Sequence, residues 1–347
     1  MRSLAARSTV ALASVVILLA GCGGEDPETA TGGESTEQEV TLRFSSSSVP
    51  GDPHTEAMTV FKEAVEESTN GSVTVELYDS GSLYDQTGEQ QALQRGDLDM
   101  AYASPAWLSE LVPEASIFTV PYLVPDAEAL QEALTGEIGE ELFGIVTEEA
   151  GVRPLGAMYL GTRTLNMGDV GEIQTPQDLE GVTLRVPDAP SWIRMGETLG
   201  AQPAPVAFNE LYLALQTGTV DGQENPVVTT RNAKFYEVTS QVVLTNHLVD
   251  SVWPTINEES WTQLSESQQQ AVQAAALEAA EFSTNKVLEL EAEALAFFEE
   301  QGLEVYEPDL DAFRAAAKQE YLQDEEQTGV WAPGMLESLQ ELSGSTG

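Results

Sequence analysis

The sequence predicts an α/β protein of two lobes joined by one long helix. Three observations predict it. Short strands and amphipathic helices alternate twice along the chain, between residues 40 and 103 and again between 182 and 226. Each half carries the same phrase at a helix-to-strand junction, ALQRGDLD at 92–99 and ALQTGTVD at 214–221, both reading A-L-Q-x-G-x-x-D. Residues 265–302 then run without proline or interior glycine, too long for a helix confined to one lobe.

In the first half, VTLRFSS at 40–46 alternates and predicts an edge-to-core strand. Residues 54–68 place Ala57, Phe61, Ala64 and Val65 on one helical face. Asn70-Gly71 supplies the left-handed turn that ends such a helix. SVTVELY at 72–78 is a second strand, 87–95 a helix and LDMAYA at 98–103 a third strand. Strands and helices in alternation with short links predict a parallel or mixed sheet covered by helices.

The second half repeats the plan. Residues 182–186 form a strand stopped by Pro187, and 191–199 a helix capped by Gly200. Residues 209–216 form a helix that closes on a glycine. A strand starts over 220–223, and Asn225-Pro226 opens a loop. In the long run that follows, Ser265 and Gln268 have the spacing of a capping box. At ~1.5 Å per residue the helix is on the order of 50 Å long, which suits an element lying across both lobes. A bend near Ser283-Thr284-Asn285, giving two helices, is the alternative.

The N-terminus predicts export. Arg2 and Arg7 accompany an uncharged, mostly apolar run over 8–21, short of the ~20 apolar residues a spanning helix needs. It ends in Leu19-Ala20-Gly21-Cys22, which resembles the lipobox of bacterial lipoproteins. That resemblance implies a signal peptide over 1–21, cleavage before Cys22 and lipidation of its sulfur. Cys22 is the only cysteine, so no internal disulfide forms. Residues 22–39 hold no aromatic or large aliphatic side chain and predict a disordered tether.

The chain has 347 residues, 58 of them acidic and 14 basic, for a net charge of −44. Cleavage removes two arginines and no acid, leaving −46. Such an acidic surplus excludes nucleic-acid binding through a basic surface. It fits either adaptation to high salt or a very soluble exported protein. Enzyme signatures are missing: there is no G-x-S-x-G, P-loop or glycine-rich dinucleotide turn. The only histidines are His54 and His247, and no H-E-x-x-H or cysteine pair supports a metal. His247 near Asp250 reads as a hydrogen-bonded structural histidine rather than an acid–base pair. Neither cofactor nor metal is expected.

The scarce basic residues are more informative. Twelve remain after cleavage, and six of them fall between 153 and 234. Arg185, in LRVPD, stands at a strand end before a proline, where open α/β sheets bind ligands. Arg163, in GTRTLN, stands where the first lobe hands over to the second. A guanidinium offers a planar fork of donors matched to a carboxylate.

LGTRTLN, LRVPDAP, PAPVAFNELYLALQTGTVDGQENP, KFYEV and TNH occur in this order. They resemble the DctP-type solute-binding proteins of tripartite ATP-independent periplasmic (TRAP) transporters, over about residues 40–320. The resemblance implies a periplasmic-binding-protein-like fold with a ligand cleft between the lobes, over 40–160 plus 251–285 and 161–250 plus 286–347. It implies capture of an organic acid, of the C4-dicarboxylate or sugar-acid type, and delivery to the small and large subunits of a membrane permease. A lipid-anchored monomer on the outer face of the membrane, or in the periplasm, is expected. Arg185 matches the family's principal carboxylate-binding arginine, Arg163 a second one, Asn225 an amide on the same carboxylate and Phe208 an apolar wall. Ser47, Asp85, Ser104 and Asp188 fall where other members place ligand contacts. Sialic-acid binders carry a carboxylate near Ser104, where this chain has serine. The alternative class is a sensor or enzyme on the same scaffold, for which no nucleophile–base pair is evident.

Overall fold

A computed structural model describes residues 38–342 and 344. The expected leader, Cys22 and the tether up to residue 37 lie outside the described residues.

The first half folds as β1 (Val40–Ser45), α1 (Pro53–Ser68), β2 (Val73–Tyr78), α2 (Gln86–Arg95) and β3 (Met100–Ala103). β2 and β3 both pair parallel to β1, which lies between them, so β2 and not β1 takes the edge. The chain continues through α3 (Pro105–Leu108), α4 (Ala127–Thr135), α5 (Glu137–Ala150) and β4 (Val152–Pro154), then crosses on β5 (Met158–Met167). The second half is β6 (Thr183–Val186), α6 (Pro190–Thr198), β7 (Gln202–Pro205), α7 (Phe208–Gln216) and β8 (Gly222–Pro226). Here β7 and β8 pair parallel to β6. The orders β2-β1-β3 and β7-β6-β8 are the same unit built twice.

The repeated phrase marks equivalent points of the two units. In each, the residue after the glycine donates to the carbonyl of the phrase's alanine, Asp97 to Ala92 and Thr219 to Ala214, both at 2.9 Å. Gly96 and Gly218 hold φ of 75° and 69° there, a region glycine enters without steric cost. The closing aspartate ties the junction to the neighbouring strand. Asp99 Oδ2 accepts from the Arg43 N–H of β1 at 3.0 Å, and Asp221 Oδ2 from the Thr183 N–H of β6 at 2.7 Å.

Asn225-Pro226 does not open a loop. Both belong to β8, which pairs antiparallel with β5 as far as Arg163↔Pro226, and α8 (Val227–Asn232) starts at once. Pro226 ends the strand as the N-cap of α8, a place that tolerates its missing N–H.

Two long strands join the halves. β9 (Gln241–Asn257) pairs antiparallel with β5 along its first part and with β3 and β4 along its last. β10 (Glu304–Tyr306) adds to its start. The order β2-β1-β3-β9-β5-β8-β6-β7 therefore has antiparallel strands at its centre and a parallel unit on each side.

After α9 (Glu258–Thr262), α10 (Glu266–Glu300) is one unbroken helix of 35 residues. Its capping box is formed: Ser265 N donates to Gln268 Oε1 at 2.9 Å and Gln268 N to Ser265 Oγ at 3.3 Å. No bend occurs at 283–285, where Ser283 and Thr284 face the protein and Asn285 faces solvent. Ser283 is buried, and Thr284 Oγ1 accepts from Tyr159 N of β5 at 3.1 Å. The N-terminal half of α10 packs Val272, Ala276 and Ala279 with Ala57, Phe61 and Val65 of α1. Its C-terminal half packs Val287, Ala294 and Phe298 with Val242 and Val249 of β9, so the helix supports both parts of the sheet. Midway, Glu291 accepts from Tyr159 Oη at 2.9 Å and from Thr162 N at 2.9 Å. These bonds clamp the bulge of β5 at Gly161, where a Cβ would meet Pro226 Cβ at 2.5 Å. The C-terminal helix Met335–Leu342 belongs to the core cluster containing Leu130 and Leu134 of α4, and Trp331 Nε1 donates to Ser116 Oγ at 2.9 Å. The end of the chain thus reaches back onto the first half.

Candidate functional site

The C-terminal ends of the parallel strands in both units open onto one cavity, as expected for an open α/β sheet. From the first unit it is lined by Ser46–Ser48 after β1, Asp52 and His54 at the start of α1, Glu89 on α2 and Ser104 after β3. From the second come Arg185 on β6, Trp192 on α6, Phe208 on α7 and Asn225 on β8, with Arg163 and Asp250 supplied by the crossing strands β5 and β9.

Arg185 is fully buried. Its Nε donates to the Val206 carbonyl at 2.8 Å, and Nη2 reaches Gln86 Oε1 across the cleft at 3.3 Å. Nη1 has no hydrogen-bond partner, and no carboxylate lies within ion-pair distance of the side chain among the described residues. Burial pulls its pKa down to about 9, with Arg163 adding to the depression and Glu224 opposing it. A buried guanidinium with unused donors is an unfavourable arrangement until an anion meets it.

Arg163 is treated in the opposite way. It is 2% exposed, forks onto Glu224 through Nε and Nη2, and reaches Asp250 Oδ2 from Nη1 at 2.8 Å. Its guanidinium stacks 4.4 Å from the Trp192 ring. Burial works against its charge, but Glu224 and Asp250 outweigh burial and hold its pKa up. Glu224 is kept ionised by Arg163 and by His247 against the effect of burial. His247 is a buried structural histidine. Its Nδ1 bonds Thr245 Oγ1 at 2.9 Å and its Nε2 faces Glu224 Oε2 at 3.4 Å, while Asp250 belongs to Arg163.

Asn225 stands between these groups. Its Oδ1 accepts from Arg163 Nη2 at 3.2 Å, and its Nδ2 donates to Gln223. Phe208 lines the cavity with its ring edge-on to Phe235, 5.6 Å between centroids. Ser47 and Ser104 also line it, and Ser104 Oγ is buried without a partner. Asp85 and Asp188 are not among the lining residues. Asp85 caps α2, accepting from Gly88 N at 2.7 Å. Asp188 offers its backbone carbonyl to Trp107 Nε1 at 3.3 Å.

Sequence reasoning missed the carboxyls of the first-unit wall. Asp52 is fully buried, with Oδ1 accepting from Asn232 Nδ2 at 2.8 Å and Oδ2 without a partner; burial pushes its pKa up to about 7. Burial likewise pushes Glu89 up to about 8, although Ser45 Oγ donates to it at 2.8 Å. His54 is driven down to about 4 by burial. Only the run GDPH at 51–54, a proline-led helix start with two polar side chains, hinted at this wall.

The profile of the DctP family, described as bacterial extracellular solute-binding protein, family 7, matches residues 44–327. The chain belongs to this family. Among solved structures, a TRAP periplasmic solute-binding protein from Roseobacter denitrificans with bound 3-deoxy-D-manno-oct-2-ulosonic acid is 40% identical. It aligns with a TM-score of 0.83 over 88% of this chain and 100% of that one. The sialic acid-binding periplasmic protein SiaP of Vibrio cholerae is 32% identical over 287 residues, 83% of this chain and 89% of the relative. The C4-dicarboxylate-binding periplasmic protein DctP of Rhodobacter capsulatus is 30% identical over 284 residues, 82% and 84% of the two chains. As a DctP-family member this protein is a periplasmic solute-binding protein of the TRAP type, and not an enzyme.

Proposed function

We propose that this TRAP solute-binding protein captures a small organic acid by its carboxylate, with Arg185 as the principal partner. The observation that carries the reading is the unpaired Nη1 of a fully buried guanidinium in the cleft. A carboxylate there completes the donors of Arg185 and restores its charge balance. Asn225 bonds the same carboxylate, held in place by Arg163, and Phe208 forms an apolar wall. Arg163, whose donors are largely committed, acts mainly by fixing Asn225 and compensating Glu224 and Asp250. Ser47 and Ser104 are secondary contacts, and Asp85 and Asp188 are assigned none. The relatives' ligands, a ulosonic acid, sialic acid and C4-dicarboxylates, all carry the group this site fits.

The loaded protein delivers its acid to the small and large subunits of a TRAP permease. Cys22, lipidated, holds the body off the outer face of the membrane on the tether of residues 22–39. The lobes divide as 40–160 plus 251–285 and 161–250 plus 286–347, with the end of the chain reaching back onto the first, and hinge where β5 and β9 cross. The test is a thermal-shift screen of the mature protein against organic acids at low and high salt. An acid that raises Tm in wild type but not in Arg185→Ala is expected. An acid that stabilises both variants equally would overturn the assignment of Arg185.

A further inference from the structure

The first-unit wall of the cleft holds hydrogen-bonding capacity that the protein itself does not fill. It carries three buried polar atoms without a partner: Asp52 Oδ2, His54 Nδ1 and Ser104 Oγ. His54 is neutral, because burial lowers its pKa to about 4. Its Nε2 stands 3.9 Å from Asp52 Oδ2, and Nδ1, an acceptor in the tautomer that carries its proton on Nε2, has no partner. Glu89 lines the same cavity, one oxygen already accepting from Ser45. Acceptors of this kind are completed by O–H donors. With Asp52 ionised, a carboxylate, which only accepts, completes none of them except the Ser104 hydroxyl.

The supply of positive charge points the same way. The basic side chains lining the cavity are Arg163, Arg185 and His54. Arg163 is committed to Glu224 and Asp250, and His54 is neutral. Of the two charged side chains, Arg185 alone has a wholly unused nitrogen. One ligand carboxylate is therefore compensated, and a second would lie against Asp52 and Glu89 with no cation to meet it.

We propose that the ligand is a polyhydroxylated monocarboxylate, a sugar acid, and that Asp52, His54, Glu89 and Ser104 accept its hydroxyls and reject dicarboxylates. The inference rests on the carboxylate reading of Arg185. It assigns a ligand class and a specificity role to side chains outside the arginine end of the cleft.

Titration calorimetry on the mature wild-type protein tests it at about pH 8, above the value near 7 for Asp52, at the value near 8 for Glu89 and below the value near 9 for Arg185, so that Asp52 is ionised while Arg185 stays charged. The probes are C4–C6 aldonates and uronates, then succinate, malate and fumarate, then sorbitol. The best sugar acid is expected to bind about 100-fold or more tighter than any dicarboxylate, as an uncompensated buried carboxylate demands. Glu89→Gln is expected to weaken the sugar acid about tenfold without weakening dicarboxylates, because it loses a hydroxyl acceptor only, and Ser104→Ala is expected to weaken the sugar acid to a similar degree. A dicarboxylate binding as tightly as the best sugar acid overturns the inference while leaving the carboxylate reading intact. If no acid binds, or if sorbitol binds as tightly as the acids, the carboxylate reading falls and the inference with it. The wild-type ranking decides the matter even if a variant fails to fold.

Discussion

Arg185→Ala separates binding from folding. In the wild type one nitrogen of this buried cation is unused, and the proposed ligand carboxylate would complete it. A charge-assisted hydrogen bond contributes ~1.5–3 kcal/mol, and losing one member of a buried charge pair costs ~2–5 kcal/mol. At ~1.4 kcal/mol per decade, the variant should bind about 30-fold to several thousand-fold more weakly. Arg185→Lys should not restore affinity, because an ammonium lacks the planar fork. The free protein should respond differently. A base whose folded pKa is depressed, here from 12.5 to about 9 by burial, costs stability wherever it is charged, which includes neutral pH. Removing it relieves that cost, while the bonds to Val206 and Gln86 are lost. Calorimetric titration with the acid found in the screen, and thermal melts without it, should show affinity collapsing and Tm holding or rising. Binding within about threefold of wild type refutes the carboxylate assignment. A large fall in the free protein's Tm refutes the claim that this cation is held for the ligand rather than for the fold.

Arg163→Ala should give the converse, leaving Glu224 and Asp250 buried without their shared cation at a cost of ~3–5 kcal/mol, a fall in Tm on the order of 10 °C by scanning calorimetry; an unchanged Tm contradicts this. Asp52 and Glu89 have folded pKa values raised by burial from 3.8 and 4.5 to about 7 and about 8, so their stability contribution is full below the unfolded values and is lost as pH rises through the folded ones. Since His54 changes stability in the opposite sense below its ordinary 6.5, melts should be compared above that pH, where Glu89→Gln should flatten the decline; parallel curves sink the assignment. Ligand should close the two lobes, and scattering should record a smaller radius of gyration at saturation, an unchanged profile counting against a hinge at β5 and β9. On the proposed lipid anchor, Cys22→Ala should free the protein from the membrane fraction, and equal retention of the variant excludes the anchor.

The repeated unit was legible because its signals are local. A-L-Q-x-G-x-x-D writes a helix end, a left-handed glycine and a strand-tying aspartate into eight consecutive positions, and both copies fold alike. The capping box at Ser265 was legible for the same reason. β9 was not. QVVLTNHLVDSVWPTIN is buried along nearly its whole length, so it lacks the polar–apolar alternation that marks a half-exposed strand, and Pro254 reads as a break. Asn225-Pro226 read as a loop because proline argues locally against strand, whereas the pairing of β8 with β5 is non-local. In the site, the arginines stood out because basic residues are scarce. Asp52, Glu89, Glu224 and Asp250 were hidden among 58 acids, and only burial distinguishes them from the solvated majority.

Two arginines that look equivalent in the sequence, each in a strand and each near the cleft, perform different work. The distinction lies in their counterions. Arg163 faces two fixed carboxylates and an indole, so its charge is balanced before any ligand arrives. Arg185 faces a backbone carbonyl and an amide oxygen, which satisfy donors but not charge. This asymmetry matters in a chain of net charge −44. An approaching anion is repelled until screening, over ~8 Å at physiological ionic strength, removes the long-range field. Attraction can then come only from a cation that the surrounding acids have not already neutralised. Glu224, whose charge already acts on Arg185, is a candidate to do so, and Arg163 holds it by its fork. The inner ion pair thereby keeps Arg185 available: were Glu224 free to turn to Arg185, the cleft would carry its own internal anion and bind none from solution.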